Sequence, residues 1–404
     1  MAERIVNSRS RGFLFLDSHP AGCDRIVRTM WDAVPAPASD TPGQDAPVAL
    51  VIGSSSGYGL AATIAGLARA GIRGIGVSFE KAPGRRTGTA GWYRTATTAD
   101  LARHHGRDFV FLNGDAFSDA LKNEVADVLR ERFAGKLDYL VYSVAAPRRT
   151  DPDTGITYSS VLRPIGEAYR TKTLVFDDEG APDVRTVETG PAEGDDIDQT
   201  VAVMGGEDWA RWIDHLAAHD LLAQGFTTAA LSYIGSPLTG AMYRQGTIGA
   251  AKAHLEQTAR DLNDRLAKEV DGRALTSVNG AAVTQSSTAI PGIALYVGLL
   301  RSVLGDGMVP PIAQLTHLWD QLTGRAPLDV DDQDRVRLDT WELTPAVQDA
   351  VAERWQSATT DTITDLADLG WFTTQVKHLY GFGVPGIDYA APVETDTPWP
   401  HHTA

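Results

Sequence analysis

Short, continuously apolar runs alternate with helical stretches early in this chain, and that alternation restricts its fold more than any other feature. Val48-Ala-Leu-Val-Ile52, Gly74-Ile-Gly-Val-Ser-Phe79 and Leu137-Asp-Tyr-Leu-Val-Tyr142 read as strands, with helices expected over Leu60 to Ala70, near 98–105 and over 117–133. A strand apolar on both faces is covered on both, and a helix between successive strands makes a parallel crossover. The expected fold is therefore α/β, a doubly wound parallel sheet of Rossmann-like form.

The pattern resumes from Asp208, with a helix expected over 208–223, a strand over Thr227–Tyr233, a further helix, a strand over Ala274–Val278 and a largely helical C-terminal third. Between the two halves, residues 147 to about 200 are rich in Asp, Glu, Thr, Gly and Pro and show little periodicity. Loops and short hairpins are expected there. The organisation predicted is one Rossmann-like domain over 1–404. It comprises a leader (1–34), a proline-rich connector (35–47), a dinucleotide-binding half (48–146), a loop-rich insertion (147–207), a second half with the helical C-terminal region (208–392) and a tail (393–404).

A chain of 404 residues buries a large core without staples, and its single cysteine, Cys23, rules out an internal disulfide or a cysteine-based metal cluster. The adjacent pairs His104-His105 and His401-His402 do not make a ligand set either, so no metal is expected. No run resembles a signal peptide or a membrane span, which points to a soluble, cytoplasmic protein. The formal charge of −16, from 36 basic and 52 acidic residues, argues against a nucleic-acid partner.

Directly after the first strand comes Gly53-Ser-Ser-Ser-Gly57-Tyr-Gly59, and a helix follows. Glycines there permit a tight strand-to-helix turn and let backbone N–H groups approach a pyrophosphate at the helix N-terminus. The next strand ends in Glu80, whose carboxylate suits the two hydroxyls of an adenosine ribose and repels a 2′-phosphate. NADH is the cofactor this predicts. Arg85 and Arg86 have the charge for such a phosphate but lie beyond Pro83-Gly84, where a surface loop is expected. The following strand ends, at Asn113-Gly-Asp115-Ala116 and Ser143-Val144-Ala145-Ala146-Pro147, fall where the sheet would meet adenine and nicotinamide ribose.

The second half carries Tyr243-Arg-Gln-Gly-Thr-Ile-Gly-Ala-Ala-Lys252, with Tyr233 ten residues upstream. A free phenol titrates near ~10 and an adjacent cation favours its ionised form, so Tyr and Lys together suit proton donation after hydride transfer. Residues nine apart lie on opposite sides of an ideal helix, at about 100° per residue. Joint action therefore requires a break near Gly246, with Thr247 as a cap, Tyr243 before the helix and Lys252 in its second turn. Ordinary carbonyl-reducing short-chain dehydrogenases separate their Tyr and Lys by four residues, so this spacing speaks against that chemistry.

Longer words carry a more specific resemblance. They include Ser18-His-Pro-Ala-Gly-Cys23, Ile52-Gly-Ser-Ser-Ser-Gly-Tyr-Gly-Leu60, Gly88-Thr-Ala-Gly-Trp-Tyr93, Met204-Gly-Gly-Glu-Asp-Trp209, Val283-Thr-Gln-Ser-Ser-Thr-Ala-Ile-Pro291 and Gly381-Phe-Gly-Val-Pro-Gly-Ile-Asp-Tyr389. With these the chain resembles the trans-2-enoyl-CoA reductases and the related FabV-type enoyl-acyl-carrier-protein reductases over roughly residues 12 to 392. The resemblance implies a short-chain-dehydrogenase-like sheet with extra elements over the active site, usually in a monomer. It implies NADH-dependent reduction of the C2–C3 double bond of a trans-2-enoyl thioester, whose carrier is coenzyme A or acyl carrier protein. By the family's Tyr-x8-Lys signature, Tyr243 is the proton donor, Lys252 a catalytic and cofactor-holding residue, and Tyr233 a substrate contact. The cofactor positions carried over are Gly53, Ser54, Ser55, Ser56, Gly57, Tyr58, Phe79, Glu80, Asp115, Ala116, Val144, Ala145, Ala282, Val283 and Thr284. Thr239-Gly-Ala-Met242 and Ala250 depart from the pattern of other members, which bears on acyl-chain preference rather than on the reaction.

Plainer expectations attach to other residues. Cys23, Trp209 and Trp212 read as core residues, and the apolar run from Ile290 to Leu300 reads equally as an acyl pocket or a packed helix. A protein that binds NADH without turning it over is the non-enzymatic alternative, and joint retention of Tyr233, Tyr243 and Lys252 argues against it.

Overall fold

In the computed structural model, which describes residues 3–36, 46–177 and 180–400, seven parallel strands form one sheet. Their order across the sheet is Arg335–Arg337, Arg273–Val278, Leu222–Ser232, Leu137–Tyr142, Val48–Ile52, Arg73–Ser78 and Phe109–Asn113. Each pairing is parallel, as the continuous apolar runs require. Alternate residues of Val48–Ile52 enter two different cores. Ala49 and Val51 pack with the helices Pro20–Asp32, Gly57–Ala65 and Pro311–Leu322, whereas Val48, Leu50 and Ile52 pack with Asp119–Arg132, Glu207–Ala218 and Thr247–Glu269. The fold is the expected Rossmann-like sheet with helices on both faces.

Chain order reverses between Val48–Ile52 and Leu137–Tyr142, so a crevice opens at their carboxyl ends. Ile52 pairs with both Val77 and Tyr142. That register brings Gly53, Ser143 and the Phe79-Glu80 end of the next strand to one rim. A Cβ at Gly53, where φ is +89°, would overlap the Ser143 carbonyl, so only glycine lets the two strand ends meet there.

Several boundaries differ from the expected ones. The helix placed near 98–105 runs from Ala90 to His104, so Gly88-Thr-Ala-Gly-Trp-Tyr93 is its start. The helix placed over 208–223 stops at Ala218, and the next strand begins at Leu222 instead of Thr227, with a register irregularity between those two residues. The insertion contains the expected hairpins, Arg148–Thr150 with Thr157–Ser159 and Tyr169–Phe176 with Pro182–Thr189, but also the helix Asp196–Met204. The C-terminal third is largely helical and adds the edge strand Arg335–Arg337. Most of the proline-rich connector, together with His401-His402, lies outside the described residues. The tail is not featureless: Trp399 is buried against Trp92, and its indole N–H donates to the Phe111 carbonyl at 2.9 Å.

Cys23, Trp209 and Trp212 are fully buried core residues, as expected. Two distant sequence words meet at the leader helix. His19 N–H donates to the Tyr380 carbonyl at 2.8 Å, and a Cβ on Gly22 would overlap Gly381. Among the described residues no single helix is long and apolar enough to cross a membrane, and no group of three or more His, Cys, Asp or Glu is placed to hold a metal.

Candidate active site

A cavity of ≈ 480 Å³ fills the crevice, within the range of roughly 300–1,000 Å³ usual for ligand sites. Gly53, Ser55, Ser56, Gly57 and Tyr58 line its floor. Ser56 stands at the N-cap of Gly57–Ala65 in an extended conformation without a side-chain cap bond, so the first amides of this helix are available to an anion. Gly59 lies so close to the Gly53 carbonyl that a Cβ would not fit. The turn thus has the tight backbone and free N–H groups that a pyrophosphate needs, and the residues fit a dinucleotide.

Glu80 lines the same cavity, with the Ser55 hydroxyl donating to its Oε1 at 2.5 Å and the Thr89 hydroxyl to its Oε2. Asn113 fixes the backbone of Glu80 from both sides, accepting its N–H at 2.7 Å and donating to its carbonyl at 2.9 Å. Phe79 is 78 % exposed at the rim, an unusual place for a phenylalanine unless a flat ligand covers it. Ala116, Val144, Ala145, Ala282 and Thr284 also face the cavity.

Three of the residues carried over from the family pattern do not line it. Ser54 turns its hydroxyl to the Val77 carbonyl, Asp115 accepts the Phe117 N–H within its own turn, and Val283 packs into the hydrophobic group around Tyr243 and Ile293. Each sits beside a lining residue, and a motif carried over as a block includes such neighbours. Ala116 is held by groups not foreseen in the sequence: Lys122 Nζ donates to its carbonyl at 2.9 Å and Trp212 Nε1 at 3.1 Å. Lys122 is itself anchored by Asp208 at 2.9 Å, and Asp208 also accepts the Tyr142 hydroxyl.

The opposite wall carries the Tyr/Lys pair. Tyr243 ends the short helix Gly240–Tyr243, the chain breaks at Gly246, and Lys252 lies in the second turn of Thr247–Glu269, as the nine-residue spacing demands. Thr247 does not cap this helix. It is the first helical residue, and its hydroxyl donates to the Val161 carbonyl of the insertion at 2.5 Å while Gly246 occupies the cap. Tyr233, Tyr243 and Lys252 all line the cavity. Ile290, Ile293 and Val297 line it too, while Leu295, Leu299 and Leu300 of the same run are buried in the core. The segment is thus a packed helix on one face and cavity wall on the other.

The electrostatics differ from the sequence expectation. Burial pushes the Tyr243 phenol well above its ordinary value, and the negative charge of Glu342 pushes the same way. The low-dielectric wall, which disfavours a charge on the phenol, sets the direction rather than a neighbouring cation. Burial pushes Lys252 down to about 8, with Glu256 partly opposing. The sequence reading missed Glu342, which is wholly buried and accepts the Tyr233 and Tyr296 hydroxyls on Oε1 at 2.9 and 2.7 Å. Nothing in Asp339-Thr-Trp-Glu342 signals this. Only the distance of over a hundred residues closed by the fold does.

A parallel sheet with a glycine turn at its reversal point, an acid ending the neighbouring strand, and a Tyr/Lys pair across the crevice defines a dinucleotide-dependent oxidoreductase of Rossmann type. Three family models narrow this class. They are the NAD(P)H binding domain of trans-2-enoyl-CoA reductase over residues 5–85, the trans-2-enoyl-CoA reductase catalytic region over 86–323, and the enoyl reductase FAD binding domain over 330–393. The enoyl-[acyl-carrier-protein] reductase [NADH] of Streptomyces avermitilis is 61 % identical over 390 residues, covering 96 % of this chain and 98 % of that one. The crystal structure of Treponema denticola trans-2-enoyl-CoA reductase in complex with NAD superposes with a TM-score of 0.88 at 38 % identity, covering 96 % and 98 % of the two chains. The corresponding Clostridium acetobutulicum enzyme in complex with NADH gives a TM-score of 0.89 at 33 % identity, covering 97 % and 98 %. The chain belongs to the trans-2-enoyl-CoA reductase family, which includes NADH-dependent enoyl-acyl-carrier-protein reductases.

The flavin named in the third model finds no cradle among residues 330–393 as described. Residues 330–393 form the edge strand and helices packed on the C-terminal side, and of them only Leu379 lines the cavity. The charged groups Asp331, Arg335, Arg337 and Asp339 bond to one another or to Glu256. No step below involves flavin.

Proposed function

We propose that this protein reduces the C2–C3 double bond of trans-2-enoyl thioesters with NADH. The observation that carries this reading is the convergence of Tyr233, Tyr243 and Lys252 on the cavity whose other side is the glycine turn and Glu80. NADH, when bound, supplies the hydride that goes to the β-carbon. Gly53 to Tyr58 hold the pyrophosphate at the helix N-terminus, and Glu80 accepts the adenosine ribose hydroxyls. Lys252 holds the nicotinamide ribose. Tyr243 stays protonated at neutral pH, donates a hydrogen bond to the thioester oxygen where negative charge develops, and gives up its proton as that charge grows. Tyr233 meets the same oxygen from the neighbouring position. Ile290, Ile293 and Val297 exclude water and receive the acyl chain.

The 61 % identity to a relative named for acyl carrier protein favours that carrier, and the solved relatives named for coenzyme A favour the other. Loss of NADH absorbance with crotonyl-CoA tests the reaction, and absence of turnover with every enoyl thioester would overturn it. The ratio of kcat/KM values for matched enoyl-CoA and enoyl-carrier-protein substrates decides the carrier. The same reading takes residues 1–404 as one reductase domain, supported by a seven-stranded sheet that draws strands from Val48 through Arg337, and takes the protein as a cytoplasmic monomer. Sedimentation velocity checks the monomer.

A further inference from the structure

Glu342 does not line the cavity, yet it joins both of its walls. Its Oε1 accepts the hydroxyls of Tyr233 and Tyr296, and its Oε2 accepts the Ala281 N–H at 2.5 Å, one residue before Ala282 on the cofactor side. An ionised carboxylate only accepts hydrogen bonds. While it is ionised, the single hydroxyl hydrogen of Tyr233 is directed to Glu342 and is not offered to the cavity. A neutral Glu342 has an O–H of its own. Donated to Tyr233, that O–H frees the phenolic hydrogen to turn toward the thioester oxygen.

We propose that Glu342 is a positioning residue for the reduction, whose protonation decides whether Tyr233 offers its hydrogen to the substrate oxygen beside Tyr243. This rests on the reading of the two tyrosines given above. The surroundings of Glu342 suit the switch. Burial raises its carboxyl to about 7 and nearby Asp339 adds to the rise, while the hydrogen bonds from Tyr296, Ala281 and Tyr233 pull the other way. The titratable groups facing it are Tyr233, Tyr243, Tyr296 and Tyr58, with Asp339 from its own loop held by Arg337 at 2.8 Å. Neutral Glu342 is the productive form, so the reaction weakens as pH rises through about 7.

Two measurements test this. In the cofactor-free protein, difference infrared spectroscopy reads a protonated-carboxyl band that disappears as pH rises through neutrality and is missing in Glu342→Gln. At saturating NADH, the wild-type kcat/KM for crotonyl-CoA falls by roughly 10²-fold across that range, the scale of one lost oxyanion donor. Glu342→Gln, whose amide N–H is a permanent donor to Tyr233, lacks this fall. Tyr233→Phe is slow throughout and also lacks it. Tyr296→Phe, which removes one hydrogen bond to Oε1, moves the inflection to higher pH and serves if the Gln variant does not fold. An unchanged inflection in Glu342→Gln, in Tyr233→Phe or in Tyr296→Phe overturns the proposal, as does a carboxyl band that does not titrate. Failure of the parent reading looks different, since a fully active Tyr243→Phe variant would remove that phenol from the reaction whatever Glu342 does.

Discussion

The rings of Tyr233 and Tyr243 meet edge to face, with centroids 4.8 Å apart and planes at 89°. One follows the end of the inner strand Leu222–Ser232 and the other ends a one-turn helix, so the contact couples the sheet to the segment that leads into Lys252. Such a pair contributes about 0.5–1.5 kcal/mol beyond area burial and holds both hydroxyls in a fixed relation.

Tyr243→Phe keeps the ring and therefore the contact, while removing only the hydroxyl. The expected result is loss of crotonyl-CoA reduction by at least roughly 10²-fold, with NADH binding unchanged. Stopped-flow turnover and NADH fluorescence titration on the same preparation check it, and full activity would exclude Tyr243 as donor.

Glu80 is fixed by Ser55, Thr89 and Asn113, so its carboxylate is set before any ribose arrives. Glu80→Ala removes both the acceptor for the ribose hydroxyls and the charge that repels a 2′-phosphate. The NADPH to NADH ratio of kcat/KM should rise by tenfold or more, about 1.4 kcal/mol of discrimination. An unchanged ratio would place cofactor choice elsewhere.

What the sequence made legible is what is local. The glycine turn, the acid one strand later and the nine-residue Tyr/Lys step each lie within one strand-turn-helix unit, where propensity and spacing constrain geometry directly. Lys122, anchored by Asp208, and Glu342 behind Tyr233 are set by tertiary contacts spanning 86 and 109 residues, and neither stands in a motif. The edge strand Arg335–Arg337 is too short to show a period, and the early start at Leu222 is masked by the turn at Gly225, where φ is +79°. Trp399 stands outside every family word, yet its indole closes a core. The phenol of Tyr243 shows the electrostatic version of the same limit. Spacing predicts a neighbouring cation, but burial determines the direction of the shift.

Lys252 is charged below about 8 and neutral above it. If it holds the nicotinamide ribose as an ammonium, the affinity for NADH should fall as pH rises through that value. Fluorescence titrations across this range read the change, and Lys252→Met should bind weakly at every pH without the inflection. A wild-type affinity that is flat across this range would remove the charge from the role.

Glu342 also makes a prediction about stability, separate from catalysis. Its carboxyl is raised from an ordinary 4.5 to about 7, chiefly by burial. Below the lower value both folded and unfolded states are neutral, and the group contributes nothing. Between the two values the unfolded chain ionises while the folded one stays protonated, so stability is lost as pH rises through that window and is level above it. The full loss is about 3 kcal/mol at 1.36 kcal/mol per unit. Glu342→Gln has no such term, so its denaturation midpoint should gain on the wild type between about pH 5 and about pH 8. Urea unfolding at the two pH values measures it, and a difference between the proteins that does not change with pH would show that Glu342 is ionised in the folded state throughout.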